Sequence, residues 1–276
     1  MNDERLPSIE SAAIIPMLEP VTACCALGDG RFSVGAASGE LRVHEADALL
    51  GSAQLGSAIV GVVTGGEGVI AASEVAGVSA YHGEPLWLVE IDAGAELLTN
   101  SGNAVLVVDA AGGVTRITAS GEVVGRISTG EIHRLAGSED GHSNAIGLRD
   151  GSLIIFDDCG QVLHESPASD DDIEAVGLLS YRADGVLLAC RDSMGMTLDD
   201  RPENRLECWH SERGLIHTAE LPARATSILP TVSGVLVGCQ NGALVELTIG
   251  GGTTERFRAD NSISDRKSTR LNSSHQ

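Results

Sequence analysis

Lysine is almost missing from this chain of 276 residues: Lys267 is the single one, and arginine carries the remaining permanent positive charge. Aromatic residues are sparse as well, at 3% of the chain. A core must therefore be built from aliphatic and small side chains rather than from large rings. No uncharged apolar run approaches the roughly 18 residues that a membrane-spanning helix needs, so none is expected. The opening Met1-Asn2-Asp3-Glu4-Arg5 is acidic, and no apolar stretch follows it, so a signal peptide is not expected and the cytoplasm is the expected location. Six cysteines include no CxxC pair, which argues against structural zinc. No convincing amphipathic pattern with apolar residues at i, i+3, i+4 and i+7 is found, so no helix is expected.

Positive charge is short overall. Eighteen basic residues face 39 acidic ones, for a formal charge of −21. Nucleic acids and anionic membranes need a basic footprint, so neither is an expected partner. Basic proteins or cations suit such a surface. An acidic, lysine-free composition fits adaptation to salt and fits a GC-rich genome equally; both readings stay open.

What the chain does have is a repeat of about 38 residues. Aligned on the Gly before a short alternating strand, its anchors are Gly39, Gly77, Gly113, Gly151, Arg205 in place of Gly, and Gly242. Successive spacings are 38, 36, 38, 54 and 37. Apolar residues alternate with polar ones, as Leu41 and Val43 do between Glu40, Arg42 and His44, which is the period of a strand. The fourth copy divides into four strands, Ile132–Leu135, Asn144–Leu148, Ser152–Asp157 and Gln161–Glu165, with turn residues between them. Small residues crowd the second strand of each copy: Gly35-Ala36-Ala37, Ala71-Ala72, Gly147, Ala189-Cys190 and Gly238-Cys239. Central strands of an open sheet disfavour Ala and Gly, whereas sheets that converge on an axis must approach closely. A strand-bearing repeat of this length predicts an all-β propeller with six visible blades, near 21–55, 58–91, 95–128, 132–166, 173–221 and 225–264. The anchor Gly is expected in a tight turn with positive φ.

Gly77-Val78-Ser79-Ala80-Tyr81-His82-Gly83-Glu84-Pro85-Leu86-Trp87 resembles the quinoprotein-like (PQQ-like) repeat: Gly, alternating strand, turn, then an apolar residue and Trp. Gly151–His164 follows the same pattern with His164 at the Trp position. Arg205-Leu206-Glu207-Cys208-Trp209-His210 is similar to the third strand of a WD repeat. The resemblance spans about residues 12–264, while the WD dipeptide itself is missing and only Trp87 and Trp209 remain of the recurring tryptophan. It implies a propeller, most often an interaction scaffold; a PQQ- and Ca²⁺-dependent dehydrogenase is the alternative it raises. Residues 1–11 read as a leader. The terminal Asp265-Arg266-Lys267-Ser268-Thr269-Arg270-Leu271-Asn272-Ser273-Ser274-His275-Gln276 looks like a translated sequencing adapter, so a ring of seven or eight blades, or a further domain, is expected of the longer protein.

The 54-residue interval holds the candidate site. Arg191 to Asn204 supplies about 16 residues more than the equivalent segment elsewhere. In a propeller the connection between strands two and three opens on the same rim as the one leading into strand one. Ser169-Asp170-Asp171-Asp172 leads into this blade, so Asp170, Asp171, Asp172, Asp199, Asp200 and Glu203 are expected to form an acidic patch. Met194 and Met196 would add adaptable apolar contact for a basic protein partner. A tolerated surface insertion is the plainer reading. The Asp run lacks the spacing that surrounds Ca²⁺, and His44, His82 and His210 fall on different blades, so no metal is expected. The Gly-rich runs do not continue into Gly-Lys-Ser/Thr. No nucleophile elbow or HExxH motif occurs. The sequence thus predicts a non-catalytic scaffold with no cofactor.

Overall fold

The computed structural model describes residues 17, 19–66, 68–167, 174–193, 202–248 and 252–259. Their regular structure is entirely β: six antiparallel sheets of four strands in chain order. Blade one holds β1 Val21–Gly28, β2 Arg31–Ala36, β3 Glu40–Glu45 and β4 Ala48–Gln54. Blade two holds β5 Ile59–Gly65, β6 Gly68–Ser73, β7 Gly77–Tyr81 and β8 Pro85–Val89. Blade three runs through β9 Ala95–Ser101, β10 Ala104–Asp109, β11 Gly113–Thr118 and β12 Val123–Ser128. Blade four follows with β13 Ile132–Gly137, β14 Asn144–Leu148, β15 Leu153–Phe156 and β16 Val162–Ser166. In blade five are β17 Glu174–Tyr181, β18 Leu187–Ser193, β19 Asn204–His210 and β20 Gly214–Glu220. Blade six ends the series with β21 Ala225–Pro230, β22 Gly234–Cys239, β23 Ala243–Thr248 and β24 Thr253–Arg258.

First strands pack on first strands: β1 on β5, β5 on β9, β9 on β13, β13 on β17 and β17 on β21. They therefore surround the axis, and the molecule is a β-propeller. Its core is divided into five apolar slabs, one at each junction between consecutive blades. Alternation serves this directly. On β10, Val105 and Val107 face blade two while Leu106 and Val108 face blade four, so the whole run is buried.

One contact recurs at these junctions. A residue near the start of each first strand seats against the second strand of the preceding blade. Where the seat is Gly35 the incoming residue is Ile59, and a Cβ on Gly35 would lie 2.5 Å from Ile59 Cγ2. Where the seat is Gly147 it is Val176, at 2.7 Å. Ala72 and Ala95 hold the equivalent positions in one slab and Cys190 and Ala225 in another, so a larger seat goes with a smaller incoming side chain. Only at the third junction do two large residues, Val108 and Ile132, share the position. Val21 is the equivalent residue of blade one, and it is 51% exposed. On blade six, Leu229 and Phe257 are exposed.

Gly151 is the tight-turn residue that the repeat predicts, with φ +90° and its N–H donating to Leu148 O. In blade three the anchor moves by one. Asp109 Oδ1 accepts from Ala111 N and Gly113 N, which places Gly112 at φ +80° and leaves Gly113 as ordinary strand. Arg205 needs no such freedom, because a long connection replaces the turn there.

Trp87 and His164 do the same work. The Trp87 indole N–H donates to Ala119 O at 2.9 Å, and its ring covers Gly121 in the turn between β11 and β12. His164 Nε2 lies 2.8 Å from Ser211 O in the turn between β19 and β20, with its ring beside Gly214 at the start of β20. Each fourth strand thus latches onto the next blade from outside. Replacing Trp87 by Ala should lower stability by about 2 kcal/mol through lost packing. Trp87→Phe should cost about 1 kcal/mol, the hydrogen bond alone. Urea midpoints at constant m-value measure both, and equal midpoints for all three proteins would contradict the latch.

Candidate functional site

Asp170, Asp171, Asp172, Met194, Met196, Asp199 and Asp200 lie outside the described residues; Glu203 is described and is exposed. The points from which the two connections leave the blade are defined. Glu174, at the start of β17, pairs with Ser193 at the end of β18. The Ser193 N–H donates to Glu203 O at 2.8 Å. Both connections therefore spring from one rim, within three adjacent backbones.

Beneath that rim lies an ion-pair network that sequence reasoning missed. Arg191 is fully buried; its Nε donates to Glu207 Oε2 at 2.9 Å and its Nη1 to Glu174 Oε2 at 3.1 Å. It also crosses to blade four, donating to Gly151 O at 2.8 Å and Ser166 Oγ at 2.9 Å. Arg205 closes the ring, bonding Glu174 through Nη2 and Glu207 Oε1 through Nε at 2.8 Å. Trp209 Nε1 gives Glu207 a further donor at 3.1 Å. Two guanidinium groups and two carboxylates cancel, which is what permits charge at this depth. Burial alone would lower the Arg205 pKa; hydrogen bonds and charge from Glu207 and Glu174 outweigh it and hold the group above its usual value. The available signal was Arg205 standing where other copies have Gly, with Glu207 on the same strand face.

A second feature circles the axis. Each first strand carries one extra residue relative to its second strand, immediately after the residue seated on the preceding blade. These bulge residues are Thr22, Val60, Glu96, His133, Gly177 and Thr226. Bulges re-aim side chains and recur at functional rims. Here they form a collar just inside the mouth on the rim of the long connections. Between blades three and four the mouth widens into a cleft of about 520 Å³, bordered by Glu96, Asp109, Glu131 and Arg149. Towards blades five and six the chemistry changes. Arg134 reaches from β13 to Gly177 O at 2.5 Å and to His133 O at 2.9 Å. Asp192 packs over Gly177, where a Cβ would lie 3.1 Å from its Oδ1. Arg224, from the connection into β21, donates to Asp192 Oδ2 at 3.2 Å. Arg149 faces Glu131 at 3.3 Å. Burial first, then repulsion from Arg134, Arg149 and Arg224, lowers the His133 pKa, with Asp192 opposing. Burial and Arg224 likewise lower that of Arg134, with Asp192 again opposing.

The repeated histidines share no environment. His44 is buried and stacks on Phe32 at 5.3 Å, His82 is exposed, and His210 Nδ1 accepts from Glu212 N–H at 3.1 Å. At the turn between β15 and β16, Asp157, Asp158 and Cys159 bring three ligand-type atoms within 4.8 Å. Asp157 Oδ1 already accepts from Cys159 N and Gln161 N, so it builds the turn. Cys190 and Cys239 sit buried in the slab between blades five and six, as small core residues.

No protein-family model and no curated protein matches the chain. Among solved structures it is similar to the computationally designed Ika8 protein, with a TM-score of 0.71 and 16% identity over 90% of this chain and 77% of that one. It is also similar to BamB from Moraxella catarrhalis, with a TM-score of 0.54 and 16% identity over 87% and 88% of the two chains. Those likenesses show the fold, and the fold alone.

Because His133 has a lower pKa in the folded chain than its ordinary 6.5, protonation favours unfolding. Its contribution to stability is complete above 6.5 and is lost as pH falls through the folded value. An NMR titration of the His133 ring should give a midpoint below 6.5, shifted upward by Arg134→Gln. A midpoint at or above 6.5 would contradict the collar geometry.

Proposed function

We propose that this chain is a non-catalytic interaction scaffold, whose docking surface is the rim carrying residues 168–173 and 194–203. One observation carries the reading: both connections are rooted in the neutralised ion-pair network of Glu174, Arg191, Arg205 and Glu207, which ties their base to blade four. A rigid base fixes the points from which the two connections leave the blade, which lowers the ordering cost of binding there. Asp170, Asp171, Asp172, Asp199, Asp200 and Glu203, with Met194 and Met196, are the proposed contacts. A net charge of −21 favours a basic protein over nucleic acid or an anionic membrane. The six unpaired cysteines support a reducing, cytoplasmic setting.

The quinoprotein alternative has less behind it, because only Trp87 and Trp209 remain of the recurring tryptophan of that repeat. A second reading has a specific observation behind it. Val21 holds the register position of Ile59 and Val176, yet no second strand among the described residues seats it, and Leu229 and Phe257 are exposed. These faces suit additional blades of the same construction, as in a ring of seven or eight.

The docking reading is tested by changing Asp170, Asp171, Asp172, Asp199 and Asp200 together to Asn and repeating a cross-linked pull-down at low and high salt. Partners recovered by the parent at low salt should be lost from the variant. Unchanged recovery would sink the acidic rim as the docking surface.

A further inference from the structure

We propose that Arg134 anchors a carboxylate-binding site at the axial mouth, one that takes a singly charged acidic side chain or chain terminus of a bound peptide. The charge balance of the mouth is the starting point. Arg149 is matched by Glu131 and Arg224 by Asp192, whereas no carboxylate among the described residues pairs with Arg134. Its Nε and Nη1 are steered by two backbone carbonyls, Gly177 O and His133 O, which fix the guanidinium without neutralising it. Nη2 enters no hydrogen bond among the described residues. A half-buried cation that feels Asp192 only at a distance, with no carboxylate bonded to it among the described residues, is unusual in a chain this acidic, and a guanidinium held in one plane is suited to a planar, two-oxygen acceptor.

The collar makes the placement possible. His133 is the extra residue of β13, and Gly177 is the extra residue of β17, so bulges on adjacent blades face each other at one level. Gly177 has no side chain, and this lets Arg134 and Asp192 approach the same peptide unit from two sides. Asp192 and Glu131 stay near the site as negative charges. Around Arg134 itself one cation stands beside two matched pairs, which suits a monoanion; Asp192 and Glu131, with Glu96 and Asp109 farther round in the cleft, repel a phosphate dianion. Carboxylate is therefore favoured over phosphate. The site is separate from the loop contacts proposed above, and its test uses small probes, so either reading can fail alone.

The probes are a capped Gly-Glu-Gly tripeptide, its Gly-Gln-Gly counterpart and inorganic phosphate, each titrated at constant ionic strength into ¹⁵N-labelled protein while the Arg134 Nε–Hε resonance is followed. The glutamyl peptide should give a saturable shift, at least tenfold weaker for the glutaminyl peptide and for phosphate. Arg134→Gln should weaken glutamyl binding tenfold or more, read from the His133 resonances. Arg134→Lys, which keeps the charge without the fork, should fall between. Arg224→Gln frees Asp192 to neutralise the site and should weaken binding several-fold. Absence of saturation in the parent protein would overturn the proposal whatever the variants do. Equal affinity for the glutaminyl peptide, tighter binding of phosphate, or unchanged affinity in folded Arg134→Gln would overturn it as well.

Discussion

Sheets that radiate from an axis must touch near the centre, and that requirement governs this molecule. Two pleated sheets with ordinary side chains stand about 10 Å apart, too far for innermost strands to pack on one another. At four of the five junctions the chain answers by keeping side-chain volume small at one position of the second strand and filling the gap from the next blade; at the third, Val108 and Ile132 share the position. Gly35 under Ile59 and Gly147 under Val176 are the extreme cases, with no space left for a methyl group. Interiors are packed to crystal-like density, so the seat and the incoming side chain must be matched in size. Repeating that match fixes the angle between blades, and the angle places everything on the rims.

Functional geometry grows from the same contact. Directly after each seated residue the first strand gains its extra residue, so the constraint that locks a blade in place sits beside the bulge that reshapes the strand near the mouth. At the junction of blades four and five the slab is extended to the rim by charge instead of hydrocarbon. Arg191 spans from Glu174 and Glu207 to Gly151 O, joining blade five to the turn of blade four. Such a network depends on every partner, because a lone buried charge is costly. It suits the base of a long connection, where orientation matters more than net stability.

Much of the fold could be read from the sequence because the repeat unit is a blade. Alternation placed the four strands of the fourth copy within a residue or two of β13 to β16, and the small residues of second strands marked the junctions. Even the replacement of Trp by His164 was visible, since both side chains latch the following blade. What escaped depends on pairing between strands. The shift from Gly113 to Gly112 follows from how Asp109 folds its own turn. Bulges are set by register, which one strand's sequence does not contain, so Glu96, His133 and Gly177 gave no warning. Arg191, counted by the sequence reading into the long connection, belongs to β18, and its buried role was hidden because the carbonyl and hydroxyl that complete its site belong to another blade. Of the acidic rim, only Glu203 falls among the described residues.

The account rests most directly on the seat at Gly147, and a double-mutant cycle with Val176 tests it. In an ordinary strand Gly→Ala gains about 0.5–1 kcal/mol from backbone entropy. Here Gly147→Ala should instead lose about 1–3 kcal/mol, as overpacking does, and adding Val176→Ala should recover part of that loss. A stabilising Gly147→Ala, or strictly additive effects of the two changes, would contradict the claim that blade spacing is set by this contact.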